Sequence, residues 1–444
     1  MRTFPVSKSN IIIPGPLGQK TRPAYQRFLI PWLFFIKSWL PRAFDLLSSL
    51  FLIVILLPVL LLRGLLAYFQ AGFVLNRQIL IGRFQQEFER LSFAGSLPGK
   101  RLAVLLNVLR GDLAWAGPRP LTPAELSLLP SNALFRFGIT PGIISPYVLR
   151  KKIGLAYEDE LTTDHEFYYS STAKEHVGLS LRGVVGSLLG GKEARPMPPM
   201  LHFWGIDIVN TTMSEALDWF DQTIQQKQKA LLAFVNPDCL NIAYTHTDYR
   251  GILQAADRVL PDGIGINIGC RILNESLMAN INGTDLFPRL CERAAKNGYG
   301  LFLLGGLPGV AELAGQAMQQ RYPELVIAGT HDGFFKKEQE SQVIELINTS
   351  GAAILFVGFG APKQELWLAR NREILNPNVC LGIGGLFDYY SGRIPRAPVW
   401  VREIGLEWTW RLLQEPGRMW KRYIIGNPLF LYRVWLQRQQ GAKL

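Results

Sequence analysis

The run AFDLLSSLFLIVILLPVLLL, from Ala43 to Leu62, constrains this chain more than any other feature. It is long enough to cross a bilayer as a helix, and few globular cores could enclose it. Pro58 lies inside it, where the missing backbone N–H and the clash with the preceding turn predict a break or kink. Basic residues stand on both sides, Lys37 and Arg42 before the run and Arg63 and Arg77 after it. The positive-inside bias then puts both flanks on the cytoplasmic face, which favours a re-entrant helix over a spanning one. Phe28 to Leu40 (FLIPWLFFIKSWL) is short and aromatic, as expected of a segment lying in the interface.

At 444 residues the chain can bury more than one core, so two domains are expected. Small, charged and proline residues replace the apolar periodicity between Gly190 and Pro199, which puts the division at 1–195 and 196–444. A formal charge of +12 suits nucleic acid, anionic lipid or phosphorylated substrates. No RNP-like, zinc-finger or helix-turn-helix pattern supports nucleic acid, and the 48% apolar content leans towards membrane lipid. Cys239, Cys270, Cys291 and Cys380 are widely and irregularly spaced, as are the five histidines. The cysteines read as buried thiols in a reducing compartment, with no protein metal site and no cofactor expected.

In the second half, apolar runs alternate with amphipathic segments. Leu231 to Val235, Gly300 to Gly306, Leu325 to Gly329, Ala352 to Gly360 and Val379 to Gly385 look like buried strands, and Ala311 to Arg321 and Lys337 to Ile347 repeat at helical spacing. Such alternation predicts an α/β fold: a Rossmann-like parallel sheet covered on both faces, with ligands at the strand C-terminal ends.

Three strand ends, two of them among these and one after the short apolar run at Val259, suit phosphate or sugar. Gly305-Gly306-Leu307-Pro308-Gly309 and Gly358-Phe359-Gly360-Ala361-Pro362 each follow a strand and precede a helix, so backbone amides can face a diphosphate. A tight turn needing glycine for backbone reasons explains either loop equally well. Neither loop is a dinucleotide or ATP fingerprint. The third is Leu260-Pro261-Asp262-Gly263; Asp-Gly is commonly only a turn, but a base in sugar transfer needs a carboxylate held near the acceptor hydroxyl.

The runs FVNPDCLNIA (from Phe234), LPDGIGI (from Leu260), NGTDL (from Asn282), LLGG (from Leu303), VGFGAPKQELW (from Val357), GIGGLFDYYSG (from Gly382) and RAPVWVREIGLEWTWRLLQEPGRMWKRY (Arg396 to Tyr423) occur in this order. On them, the half from about His202 to Tyr432 is similar to the WecG/TagA/CpsF glycosyltransferases. The resemblance implies inverting, metal-independent transfer of an N-acetylhexosamine-type, ManNAc-like sugar from a UDP-sugar donor to a polyprenyl-diphosphate-linked acceptor. It implies Asp262 as catalytic base and Gln364 of the PKQE run as the polar residue holding sugar or diphosphate. Asn236, Asp238, Gly263, Asn282, Gly283, Asp285, Gly305, Gly306, Gly358, Gly360, Lys363 and Glu365 then border the substrates. Asn236 stands in place of a family threonine, Asp238 of an asparagine, Asn280 of an arginine and Asn282 of a threonine, so donor preference is expected to differ.

From Arg393 to Arg438, nine Lys or Arg stand against three Glu and are interleaved with five Trp. That composition suits an anionic membrane interface, each cation contributing on the order of 1 kcal/mol. In the family this appendage also closes over the active site, which makes Arg411, Arg418 and Arg422 the expected diphosphate contacts.

The N-terminal half carries RAFDLLSSL (from Arg42), LNRQILIGR (from Leu75), NVLRGDLAWAGPRPL (from Asn107), ITPGIISPY (from Ile139) and DHEFYY (from Asp164). On these it resembles, from about Arg42 to Gly190, the bacterial polyprenyl-phosphate sugar-1-phosphate transferases. That family's adjacent Asp-Glu pair, which supplies nucleophile and metal ligand, is replaced here by Lys100 and Arg101. A cation can neither attack phosphorus nor bind magnesium, so a catalytically inactive, mainly helical monotopic domain is expected, one that anchors the chain and presents lipid. A bifunctional transferase and a non-catalytic scaffold of polysaccharide assembly are the alternatives. The expected location is the bacterial inner membrane with active sites on the cytoplasmic face; a homo-oligomer is left open.

Overall fold

The structure, a computed structural model, describes residues 24–152, 158–170, 172–189 and 196–441. Most of the inter-domain linker expected at Gly190 to Pro199 lies outside the described residues.

A helix spans Ala24–Ala71, and its part from Trp39 to Ala71 is long and apolar enough to cross a membrane. Phe51, Val54, Ile55, Leu57, Leu61 and Leu62 are exposed on it, so no other described part of the chain covers them. Asp45, Ser49 and Arg63 of this helix are polar and buried. Arg42 donates to the carbonyls of Val108 and Leu109 at 2.6 and 2.9 Å, and Arg63 to those of Ala94 and Pro98 at 2.9 and 3.1 Å. Between them Asp45, buried, lies 2.7 Å from His176 Nε2. The expected break at Pro58 requires correction, since one helix continues through it. Proline forfeits a single hydrogen bond there, whereas a break among apolar side chains would strand several more backbone groups.

Around this helix pack an antiparallel hairpin of β1 (Leu75–Ile81) and β2 (Glu87–Phe93) and a parallel pair of β3 (Ala114–Ala116) and β4 (Gly142–Ile144). Helices Val104–Arg110 and Ala173–Leu189 join them. Lys100 and Arg101 open a one-turn 3-10 helix, with Lys100 exposed.

The second half begins with a hairpin of β5 (Met200–Phe203) and β6 (Ile206–Val209). Six strands then form one parallel sheet: β7 (Ala230–Val235), β8 (Arg258–Pro261), β9 (Leu301–Gly305), β10 (Ile327–His331), β11 (Ile354–Gly358) and β12 (Val379–Gly382). Their spatial order is β10-β9-β11-β12-β7-β8, which bears out the expected parallel α/β sheet. Alternate residues feed two cores: Leu232, Phe234, Leu303, Phe356 and Leu381 on one face, Leu231, Phe302, Leu304, Leu355 and Val357 mainly on the other. This period of two explains why the strands read as continuous apolar runs. The chain leaves β9 towards the edge strand β10 but leaves β11 towards β12. The carboxyl ends of β9 and β11 therefore flank a switch point, where open α/β sheets bind ligands.

Candidate active site

β7 and β8 are neighbours in register, with Val235 opposite Pro261, so Asn236 and Asp262 leave the sheet side by side. Asn236 caps the helix Pro237–Thr245, its Oδ1 accepting from the amides of Asp238 and Cys239 at 3.1 Å. Its Nδ2 is thereby turned towards Asp262 Oδ2, 3.4 Å away. The Asp262 amide donates to the Val235 carbonyl at 2.8 Å. Gly263, at φ +92, donates to Asn280 Oδ1 at 2.6 Å. Backbone and amide side chains thus fix the Asp-Gly turn, while the carboxylate faces a cavity. Among the described residues no ion pair closes on Asp262. Burial and, more weakly, Glu407 push its pKa up, against Arg422, the Asn236 hydrogen bond and Arg411.

The cavity has adjoining compartments. Two share Asn236, Asp238, Asp262, Tyr389, Arg411 and Arg422; the second extends to Gly283, Gly360, Gln364 and Gly384. A third, lined by Gly306, Gly358, Gly360, Lys363, Phe334, Phe359 and Arg418, occupies the switch point. Gly305 lies behind this wall. A Cβ there would come within 2.7 Å of Gly358 Cα, and its φ is +135, so glycine is required for the approach of β9 to β11.

Gln364 is buried, and its Oε1 accepts from the amides of Gly360 (3.0 Å) and Gly384 (2.9 Å). It ties together the loops after β11 and β12, and one of the glycine amides expected to face phosphate is occupied by it. Its Nε2 donates to Glu365 Oε1 at 2.7 Å. Glu365, expected at the substrate, requires correction: it is fully buried beneath Gln364, and burial raises its pKa to about 7 against that hydrogen bond.

Asp285 is corrected in the same way. It lies 2.7 Å from Arg396 Nη1 and 3.5 Å from Arg402 Nη1, and accepts from Asn282 Nδ2 at 2.8 Å. Burial opposes its ionisation, yet these partners hold its pKa below the usual carboxylate range. It anchors the appendage instead of facing the cavity floor. Asn282 caps the helix Gly283–Asn297 through the Asp285 amide at 2.7 Å while lining the cavity.

The three appendage arginines do reach the site. Arg411 lies over the Tyr389 ring at 5.5 Å and 3.6 Å from Glu415; Arg418 lies 3.2 Å from Glu415; Arg422 lies 3.4 Å from Asp238. Tyr389, Arg402, Glu407, Trp408 and Tyr423 also line the cavity and were not singled out in the sequence. Each stands inside a quoted run, but only the tertiary fold brings it opposite Asp262. No group of three or more metal-ligating side chains gathers among the described residues.

A parallel sheet that assembles a half-buried carboxylate, glycine loops and arginines around one cavity has the equipment for moving a sugar from a phosphorylated donor, and this chain is a glycosyltransferase. It belongs to the glycosyl transferase WecG/TagA/CpsF family, whose model matches residues 201–444. It is similar to the N-acetylglucosaminyldiphosphoundecaprenol N-acetyl-beta-D-mannosaminyltransferase of Bacillus subtilis (strain 168), 33% identical over 239 residues, which is 54% of this chain and 91% of the relative. The protein of the same name in Staphylococcus aureus (strain MW2) is 31% identical over 248 residues, 54% and 94% of the two chains.

Proposed function

We propose that the C-terminal half transfers an N-acetylmannosamine-type sugar from a UDP donor to a polyprenyl-diphosphate-linked N-acetylglucosamine acceptor, with inversion. The relatives' names support the sugar and the acceptor; the UDP donor and the inversion follow from the family resemblance. The observation that carries the chemistry is Asp262, a carboxylate without an ion-pair partner among the described residues, open to a cavity that glycine loops and arginines also line. In the reaction the acceptor hydroxyl oxygen attacks the anomeric carbon, its proton passes to Asp262, and the bond to the diphosphate breaks with its electron pair leaving on UDP. Gly306, Gly358, Lys363 and Arg418 border the compartment suited to the nucleotide, and Arg411 and Arg422 meet the charge that gathers on the leaving group. Asn236 positions the base. Selectivity for the donor sugar rests on Asn236, Asp238, Asn280 and Asn282.

The N-terminal region acts as the membrane anchor, with Ala43 to Leu62 in the bilayer and the transfer site on the cytoplasmic face. Lys100 and Arg101 replace the carboxylates that phosphosugar transfer needs, so the region lacks that activity. Mass spectrometry of a polyprenyl-diphosphate-GlcNAc acceptor incubated with UDP-sugars tests the main reading: a product gaining one N-acetylhexosamine is expected, with loss of turnover in Asp262→Asn. Full turnover by that variant would remove the base assignment, and release of UMP with polyprenyl phosphate would contradict the inactive N-terminal reading.

A further inference from the structure

The cavity wall facing Asp262 is built by a short turn of the appendage. Arg402, Gly405, Glu407, Trp408 and Arg411 all line it. Gly405, at φ +72, packs so closely that a Cβ would lie 3.1 Å from Ile264 Cγ1, two residues beyond Asp262. A displacement of this turn therefore reaches the base directly.

The back of the same turn is held by the other half of the chain. Glu403 is buried, and each carboxylate oxygen meets an arginine from the N-terminal region: Oε2 lies 2.5 Å from Arg182 Nη1 and Oε1 lies 2.9 Å from Arg150 Nε. Arg182 is itself buried, donates to the Gly178 carbonyl at 3.1 Å and pairs with Glu175; Arg150 pairs with Glu166 at 2.8 Å. The cluster spans 253 positions of sequence and joins the region outside the family match to the turn inside it. Glu403 is the carboxylate that both arginines share, so losing it, or either arginine, weakens the bridge that holds this turn to the N-terminal region.

We propose that Glu403 is a positioning residue for sugar transfer and that the N-terminal region, through Arg150 and Arg182, is the strut fixing the active-site wall against Asp262. The inference rests on the reading of the Asp262 cavity as the transfer site. It gives the N-terminal region a role in the reaction that needs none of the chemistry lost at Lys100 and Arg101. The wall borders the compartment that holds Asp262 together with Asn280 and Asn282, away from the nucleotide switch point, so its loosening affects the transfer step more than binding of the nucleotide.

The test is a double-mutant cycle in the full-length protein, Arg182→Met, Glu403→Leu and the pair, assayed with UDP-N-acetylmannosamine and a polyprenyl-diphosphate-GlcNAc acceptor. Each single variant is expected to lower kcat about tenfold while the inhibition constant of free UDP stays within about twofold, and the pair to be no worse than the worse single, because both break one cluster. Hydrogen exchange over 399–411 is expected to quicken in each variant while β7 to β12 stay protected. Glu403→Gln, which keeps the shape and removes the charge, serves if the leucine variant does not fold, and should show the same pattern more weakly. Additive effects on kcat/KM, or unchanged exchange over 399–411, overturn the inference. Absence of product from the unaltered protein would instead remove the transfer reading, and the exchange measurement would still decide whether the strut exists.

Discussion

Gln364 reaches from the helix after β11 to accept the amide of Gly384, at the end of β12, at a distance of 2.9 Å. The same oxygen holds Gly360, so one buried side chain sets the spacing of two loops that border the donor compartment. Gln364→Ala would leave two amides without a partner, each costing about 1–3 kcal/mol if it stays dry. A fall in melting temperature and a loss of about 10- to 100-fold in kcat/KM for the donor are expected. Steady-state kinetics and calorimetry check both; a variant with unchanged kinetics would mean the loops hold without this tie.

Asp262 must be ionised to accept a proton. Its pKa is raised chiefly by burial, so activity should fall, as pH drops, at a pH above the usual carboxylate range. Arg422 opposes that rise. Arg422→Gln should therefore shift the acid limb of kcat/KM further towards neutrality as well as slowing the reaction. A pH profile unmoved by the substitution would show that Arg422 does not act on the base.

Glu365 gives a stability signature with a definite sign. Its folded pKa of about 7 lies above the ordinary value of 4.5, so the folded state holds a proton that the unfolded state has lost between these limits. Stability declines as pH rises through that window and is level above it. Glu365→Gln keeps an acceptor for Gln364 and cannot ionise, so its stability relative to the parent should improve between pH 5 and pH 8, by up to about 3 kcal/mol at about 1.4 kcal/mol per pKa unit, read as a gain in melting temperature over the parent. Parallel melting curves at the two pH values would contradict this.

Phe51 and Val54 are exposed apolar residues on the long helix. Placing Asp at both positions costs roughly 2.5–3.5 kcal/mol each if they sit in hydrocarbon. The double variant is expected to stop floating with anionic liposomes while its Trp near-UV spectrum is unchanged; undiminished flotation would assign membrane binding to another surface.

The strands that could be read from sequence were those buried on both faces, β7, β9, β11 and β12, since continuous apolar runs of that length bounded by polar residues or glycine leave little else to form. The edge strand β10 lies at Ile327–His331, two residues beyond the apolar run Leu325 to Gly329, because its half-buried residues carry no strong pattern. The hairpin Met200–Val209 alternates too briefly to stand out. Asp262 stood out only through the family resemblance of its LPDGIGI run, since Asp-Gly after a short apolar stretch is commonly just a turn. Asp285 was misplaced because its cationic partners come from elsewhere in the fold, and Glu365 because the direction of a side chain is not written in the sequence. Arg396 reaches Asp285 across 111 positions, and nothing local tells that Glu365 points beneath Gln364 instead of beside it.

Phe430 and Val434, on the last described helix, are fully buried among Phe203, Ile266 and Cys270, and Asn241 donates to the Gly426 carbonyl at 2.7 Å. The arginine-rich stretch before them is thus moored at its far end in the domain interior, and at its near end by Arg396 on Asp285. It is a strap fastened at two buckles, and trimming the C-terminus to make the protein more soluble would take part of the core with it.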